Sequence, residues 1–155
     1  MIQLVLVNPE IPQNTGSVAR LCAATNTHLH LIKPLGFSLE DRYLKRAGLD
    51  YWPHVRLSVW ENWEAYQEAA GGQRLVLTTS GHRGIMGQAY HAFPFSPQDS
   101  IVLGPESRGL PEAWLESQAH LVRIPIWGQV RSLNLANAAS ILLYEALRRT
   151  GGLPE

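Results

Sequence analysis

Three short segments of this sequence bring polar side chains that could do chemistry next to glycine or other small residues. The first segment, residues 14–20, carries Asn14, Gly16 and Arg20. Glycine allows a close backbone approach, a helix N-terminus attracts an anion, and Arg20 lies about one turn beyond Gly16, able to fork onto a phosphate. Taken alone, however, the segment is better explained as a capped helix with a solvated arginine.

The second segment, residues 103–111, joins an apolar run to a helix-forming run through two glycines, two prolines and one carboxylate, Glu106. An ordinary surface turn needs only one or two such residues, so this much restricted backbone favours ligand binding by N–H and C=O groups of the loop. Glu106 could accept a hydrogen bond from a ligand hydroxyl, orient Arg20 or brace the loop.

The third segment, residues 130–140, begins a helix with Ser132 and continues with Asn134 and a row of small residues. Small residues allow another backbone or an adenosine to pack closely. Ser132 could cap the helix or contact a ligand, and alone it is better explained as an N-cap.

Composition limits the classes of protein to consider. A chain of 155 residues with 45% hydrophobic and 17% charged residues fits one domain spanning residues 1–155. Neither an apolar membrane span nor a signal-like leader is apparent, which predicts a cytoplasmic protein. Thirteen basic residues balance thirteen acidic ones, so binding of a nucleic acid would need a local basic patch.

The cysteine and histidine content predicts neither a disulfide nor a metal site. Cys22 is the single cysteine and lies in an apolar run, as expected of a small buried residue. The six histidines lack a metal-ligand spacing, although His28 and His30 should share one face of a strand. The three glycines of residues 81–87 do not have the spacing of a dinucleotide fingerprint.

The elements that must position these segments alternate between strand and helix along the whole chain. The predicted strands span residues 2–7, 28–32, 55–60, 74–79, 101–103 and 121–126. The predicted helices span residues 15–26, 39–46 with Ser38 as its cap, 61–70, 111–118 and 133–149.

This alternation predicts an α/β fold, a mostly parallel sheet with helices on both faces. Ligands of such sheets bind beyond the carboxyl ends of the strands. A binding site is therefore expected among the loops 8–16, 80–87, 104–111 and 126–132.

Taken together, segments 14–20, 102–111 and 131–138 resemble, in order and spacing, the three motifs of the SPOUT methyltransferase superfamily. Residues 9–16 and 45–52 further resemble its small single-domain branch, which methylates the 2′-oxygen of the wobble nucleotide of certain tRNAs. The resemblance implies a C-terminal deep trefoil knot, against the general rule that chains avoid knots, and a homodimer.

The resemblance also implies a cofactor, a substrate and site residues. The cofactor is S-adenosylmethionine, and the substrate is C34 or U34 in the anticodon stem-loop of tRNA, in leucine-type isoacceptors. The implied catalytic residues are Arg20, Glu106, Ser132 and Asn134. Backbone groups at Leu77, Gly104, Ile124, Ser132 and Leu133 are expected to hold the cofactor, and no metal is expected. Substrate binding is assigned to Asn14, Arg20, Arg42, Arg46 and Tyr51.

Several alternatives stay open from the sequence. Arg42, Lys45 and Arg46 followed by Tyr51 and Trp52 could bind and stack on the anticodon, or form a solvated helix beside a core aromatic pair. Arg20 could remove the proton of the ribose hydroxyl, but an arginine side chain is almost always protonated, which favours binding a phosphate and stabilising the developing alkoxide. Methylation of another tRNA or rRNA ribose, and a non-catalytic RNA-binding relative, are the competing functions.

Overall fold

A seven-stranded sheet, parallel at each of its pairings, lies at the centre of the protein. The computed structural model describes residues 1–48, 51–81, 84–118 and 120–155. The strands are β1 (Gln3–Val7), β2 (His28–Ile32), β3 (Leu57–Trp60), β4 (Arg74–Thr78), β5 (Gln88–Ala89), β6 (Asp99–Leu103) and β7 (Leu121–Arg123). Their order across the sheet is β3-β2-β1-β6-β4-β7-β5.

Helices follow the strands and cover both faces of the sheet. They are α1 (Pro12–Thr25), α2 (Arg42–Gly48), α3 (Trp63–Ala70), α4 (Glu112–Ser117) and α5 (Leu135–Thr150), with a short 3-10 helix at Trp52–His54. In β1, Leu4 and Leu6 face a cluster that includes α1 and α5, whereas Val5 and Val7 face a cluster that includes α3 and α4. The prediction of a parallel sheet buried on both faces is confirmed.

The first helix begins three residues earlier than predicted, at Pro12 instead of Thr15. Proline suits the first turn of a helix because it lacks the N–H that has no partner there. The N-cap is Ile11, which makes no side-chain cap bond, so the prediction that Asn14 or Thr15 caps this helix was wrong. Asn14 instead lies inside α1, where its side chain is available for tertiary contacts.

Two other predicted caps were also wrong. Helix α2 begins at Arg42 rather than residue 39, and the Asp41 side chain, not Ser38, accepts a hydrogen bond from the Leu44 N–H. Helix α5 is capped by Asn134, whose Oδ1 accepts from the N–H groups of Ala136 and Asn137, and not by Ser132. Asparagine and aspartate are as good at this position as serine.

Strand β7 is shorter than predicted, and β5 was not predicted at all. Strand β7 ends at Arg123, whereas the apolar pattern predicted a strand to Ile126. Pro125 has no N–H to contribute to a ladder, which explains the early end. Strand β5 has only two residues, too few for an alternating pattern to be recognised.

Parts of two predictions lie outside the described residues. These are His82 and Arg83 of the loop 80–87, and Leu49 and Asp50 of the segment 45–52. None of the described helices is both long and apolar enough to cross a membrane. After β7, near one edge of the sheet, the chain returns to the centre, where α5 packs against α1 and β6. The trefoil knot itself stays a prediction.

Candidate cofactor and substrate site

A cavity of about 550 Å³ opens at the carboxyl ends of β4, β6 and β7. Each of the four predicted loops contributes to its lining, which confirms that they meet at one place. Its lining includes Ile11, Asn14, Ser80, Ile85, Gly104, Glu106, Ile126, Arg131 and Ser132. Small-molecule and cofactor sites generally have volumes of about 300–1,000 Å³, so the cavity is large enough for a nucleoside-sized ligand.

The loop after β6 lies so close to itself that only glycine fits at its start. A Cβ atom at Gly104 would lie 2.4 Å from the N atom of Leu110 and 2.5 Å from the carbonyl carbon of Gly109. Gly109 itself has a φ of 71°, a conformation that glycine adopts without strain. The glycines therefore fold this loop into a tight wall of the cavity.

The carboxylate of Glu106 caps the start of α1. Its Oε1 accepts a hydrogen bond of 2.8 Å from the N–H of Glu10, and its Oε2 accepts one of 2.8 Å from the N–H of Ile11. Its Oε2 also accepts from Nδ2 of Asn14 at 3.2 Å. The anion at the N-terminus of α1 is therefore the protein's own Glu106. Of the three roles that the sequence left open for Glu106, namely accepting from a ligand hydroxyl, orienting Arg20 and bracing the loop, this geometry favours bracing.

A second carboxylate joins the same two loops. The side chain of Glu10 accepts hydrogen bonds from the N–H of Ser107 at 2.7 Å and from its hydroxyl at 3.0 Å. The N–H of Ser107 is the main reason why the pKa of Glu10 lies below its usual value. Glu10 and Glu106 thus brace the two loops reciprocally. The bond from Ser107 to Glu10 spans 97 positions of the sequence, and the bond from Glu10 to Glu106 spans 96.

Asn14 links all three motifs. Its Nδ2 donates to Glu106, and its Oδ1 accepts from Nδ2 of Asn134 at 3.0 Å. Because Asn134 also caps α5, the start of that helix is fixed relative to α1. Ser132 and Leu133 immediately precede this cap, are exposed, and line the cavity.

Arg20 lies on a different part of α1 from Asn14. Its side chain is exposed, and it is not one of the described residues that line the cavity. Its guanidinium lies 4.7 Å from the ring centre of Tyr51. Six residues of α-helix separate it from Asn14 by about 9 Å along the axis and about 120° around it. The structure therefore brings Arg20 together with Tyr51 and not with Glu106.

The basic helix α2 packs against α1 beside that pair. Arg42 and Arg46 are exposed there, and Lys45 forms a 2.6 Å ion pair with Glu40. Trp52 is partly buried against the core, so of the two aromatic residues it fits the core alternative.

The expected cofactor residues do not all lie at the cavity. Gly104, Ile124, Ser132 and Leu133 line it. Leu77 is fully buried in the core on the α3 and α4 side of the sheet, and the lining begins at its neighbour Thr78.

Sequence reasoning missed Arg123, the last residue of β7. Arg123 lines the cavity, and its Nε is buried with no hydrogen-bond partner among the described residues. Buried polar atoms are nearly always hydrogen-bonded, so this atom is available to a ligand. The signal was a charged residue inside the apolar run 121–126.

The two strand histidines form a structural cluster. The rings of His28 and His30 stack at 4.0 Å, and His30 Nδ1 accepts from the indole N–H of Trp60 at 3.0 Å. Burial, and then the neighbouring His28, lower the pKa of His30 to about 4. In the described parts of the chain, no three His, Cys, Asp or Glu side chains come together as a metal site would need. Cys22 is buried as predicted, and burial raises its pKa to about 12.

Comparison with known protein families places all three motifs within one family match. The model of the SpoU rRNA Methylase family matches residues 1–144. The chain belongs to this family. A relative from Methylovorus glucosotrophus, named tRNA (cytidine(34)-2′-O)-methyltransferase, is 52% identical over 153 residues, which are 96% of each chain.

Solved structures of similar proteins share the fold. One, described as "Structural insights into the 2-OH methylation of C/U34 on tRNA", is 47% identical, has a TM-score of 0.90, and is matched over 99% of this chain and 98% of its own. The SpoU methyltransferase AviRb from Streptomyces viridochromogenes, solved in complex with the cofactor AdoMet, is 26% identical with a TM-score of 0.77. That match covers 96% of this SpoU family chain and 60% of AviRb.

Proposed function

We propose that this protein transfers a methyl group from S-adenosylmethionine to the 2′-oxygen of the wobble nucleotide, C34 or U34, of tRNA. The observation that carries the proposal is that residues of all three motifs line the same cavity, at the carboxyl ends of β4, β6 and β7. Relatives at 45–52% identity over nearly the whole chain are named for this reaction. Leucine-type isoacceptors are the substrates that we expect.

The residues at the cavity fit the proposed methyl donor. Its volume of about 550 Å³ suits a nucleoside with an attached amino acid, and the backbone at Gly104 is open to close approach. The buried Nε of Arg123 can donate to a polar group of the donor. S-adenosylmethionine supplies a methyl group on a sulfonium, which is a good leaving group. The protein's main task is then positioning, which in favourable cases contributes on the order of 7–11 kcal/mol.

Arg20 acts on the ribose and its phosphate in this proposal. An arginine side chain stays protonated, so it is suited to bind a phosphate and to stabilise the negative charge that develops on the 2′-oxygen. Stacking against Tyr51 holds the guanidinium in place. Glu106, Asn14 and Asn134 are positioning residues, because their side chains bond to one another and to the starts of α1 and α5.

We further propose that the protein acts as a homodimer. Arg20 contacts Tyr51 and is not among the described residues that line the cavity of its own chain, which supports a symmetric dimer in which Arg20 of one copy serves the cavity of the other. The exposed Arg42 and Arg46 would extend the same basic surface towards the anticodon stem-loop. Because tRNA is the proposed substrate, we place the protein in the cytoplasm.

Transfer of labelled methyl from S-adenosylmethionine to total tRNA, followed by mapping of the modified position, tests the proposal. We expect label on the 2′-oxygen of nucleotide 34, and a loss of at least tenfold in rate for Arg20→Ala and Arg46→Ala. Label on a base, on another nucleotide or on rRNA would contradict it. Arg56→Ala, which changes an exposed arginine that bonds to the carbonyl of Asn26, is the matched control.

A further inference from the structure

The segment that links β7 to α5 exposes an apolar surface beside the cavity. Trp127 is 90% exposed, Val130 is 64% exposed and Leu133 is 36% exposed. Single exposed apolar residues are common, but three within seven positions, one of them a tryptophan, are a concentration that indicates a segment with a partner.

The place of this segment relates the patch to the site. Ile126, immediately before Trp127, and Arg131, just after Val130, both line the cavity. Residues 127–130 therefore form its rim. The donor in the cavity and the acceptor that receives the methyl group must meet across this rim.

Charge at the rim indicates the chemistry of the partner. Arg131 on the same segment and Arg108 on the loop after β6 are both exposed and both line the cavity. Among the described residues that line the cavity, the three arginines Arg108, Arg123 and Arg131 outnumber the two carboxylates Glu106 and Glu112, so the charge of the lining is positive although the chain as a whole is neutral. Trp127 is exposed on the same segment as Arg131, beside a cavity that Arg108 also lines. Proteins bind single-stranded RNA by combining exposed aromatic rings, which stack on bases, with cations that bind phosphates.

We propose that Trp127 stacks on an unpaired nucleobase of the RNA substrate while Arg131 and Arg108 bind the adjoining phosphates. The proposal rests on the proposed function, because it takes an anticodon loop as the occupant of the rim. The second copy proposed above reaches the same cavity through its Arg20, but a symmetric contact made by residues 127–130 themselves would bring the same arginines together, so we take RNA and not the second copy as the partner of Trp127.

The test compares Trp127→Ala and Trp127→Phe with the wild-type protein, using tRNA and an isolated anticodon stem-loop RNA as probes. We expect Trp127→Ala to raise KM and the directly measured Kd for both RNAs about tenfold, and Trp127→Phe to restore most of the loss. Affinity for S-adenosylhomocysteine, measured by calorimetry, should be unchanged. Leu153→Ala removes another exposed apolar side chain, outside the cavity lining, and serves as the control.

Three results would overturn the assignment of Trp127. The first is an unchanged Kd for RNA in Trp127→Ala. The second is a loss of affinity for S-adenosylhomocysteine, which would mean that Trp127 covers the cofactor. The third is dissociation of an oligomer, which would mean that Trp127 lies at a contact between copies of the chain. Failure of the proposed function is a separate result, in which the wild-type protein methylates no tRNA. The comparison of RNA Kd values would still decide the role of Trp127 in that case.

Discussion

Arg20 and Glu106 are charged residues of neighbouring motifs, but their surroundings give them different tasks. Both oxygens of Glu106 accept hydrogen bonds from the chain itself, which leaves it a brace between two loops. Arg20 is exposed against Tyr51 and is free to meet the RNA. At the scale of single residues, these contacts support the proposal that Arg20 meets the substrate and that Glu106 positions the loops.

Arg123 offers a prediction about the cofactor. We expect Arg123→Met to weaken binding of S-adenosylhomocysteine about tenfold, because the ligand would lose the hydrogen bond that the buried Nε of Arg123 donates in our proposal. The melting temperature of the ligand-free protein should not fall, since the substitution removes an unsatisfied buried atom and keeps the apolar stem. Calorimetry and thermal unfolding measure the two effects. Equal affinity in the variant would show that Arg123 does not contact the cofactor.

His30 predicts a dependence of stability on pH. Its pKa of about 4 in the folded protein is below the ordinary value of 6.5, so the unfolded chain binds more protons between these values. The free energy of unfolding should therefore fall as the pH decreases from about 6.5 to about 4, and this contribution should be constant below that range. Urea unfolding at pH 7 and pH 4.5 measures the difference.

The variant His30→Gln should flatten that acid dependence. His91→Gln is the control, because His91 is exposed and lies outside the stacked pair of His28 and His30. A dependence as steep in His30→Gln as in the wild-type protein would assign the acid sensitivity to other groups. Part of the slope should remain, since burial also lowers the pKa of His28.

At the scale of elements, the loop after β6 and the starts of α1 and α5 behave as one unit. Glu106 joins the loop to α1, and Asn14 joins α1 to Asn134 at the cap of α5. These hydrogen bonds link residues 92 to 120 positions apart. A disturbance of the loop is therefore expected to reach both helices.

Gly104→Ala tests this unit. The added Cβ would lie 2.4 Å from a backbone atom of the same loop, so the loop must move and the cofactor should bind at least tenfold more weakly. Gly128→Ala is the matched control, because a Cβ there has open space within 4 Å. Calorimetry with S-adenosylhomocysteine, with circular dichroism to check folding, decides the outcome. Equal affinities in the two variants would contradict the close packing of the loop.

At the scale of the whole molecule, the position of Arg20 argues for a site completed by two copies. Light scattering should give twice the mass of one chain. Mixing Arg20→Ala with Gly104→Ala, each nearly inactive alone, should restore activity, since a mixed dimer contains one intact cavity served by one intact Arg20. Random pairing gives about a quarter of the wild-type activity. No restoration would mean that each Arg20 serves its own cavity.

The sequence alone determined the alternation of strands and helices, the two-sided sheet and the four loops that form the site. Buried parallel strands require continuous apolar runs, and ligands of such sheets bind where the strands end, so both conclusions follow from local patterns. The order of the three motifs is also visible in the sequence, and it predicted the methyltransferase family, which the family model confirms.

Only the tertiary structure decided which polar groups pair with one another. Ser132 and Asn134 are both good caps by local rules, and the choice of Asn134 follows from its contact with Asn14, 120 positions away. Likewise, the hydrogen bonds from the N–H groups of Glu10 and Ile11 to Glu106 favour the bracing alternative, which the sequence left open. Hydrogen bonds of this kind depend on where distant segments meet, which no local pattern encodes. The motifs therefore located the site, and the fold assigned each of their residues a place in it.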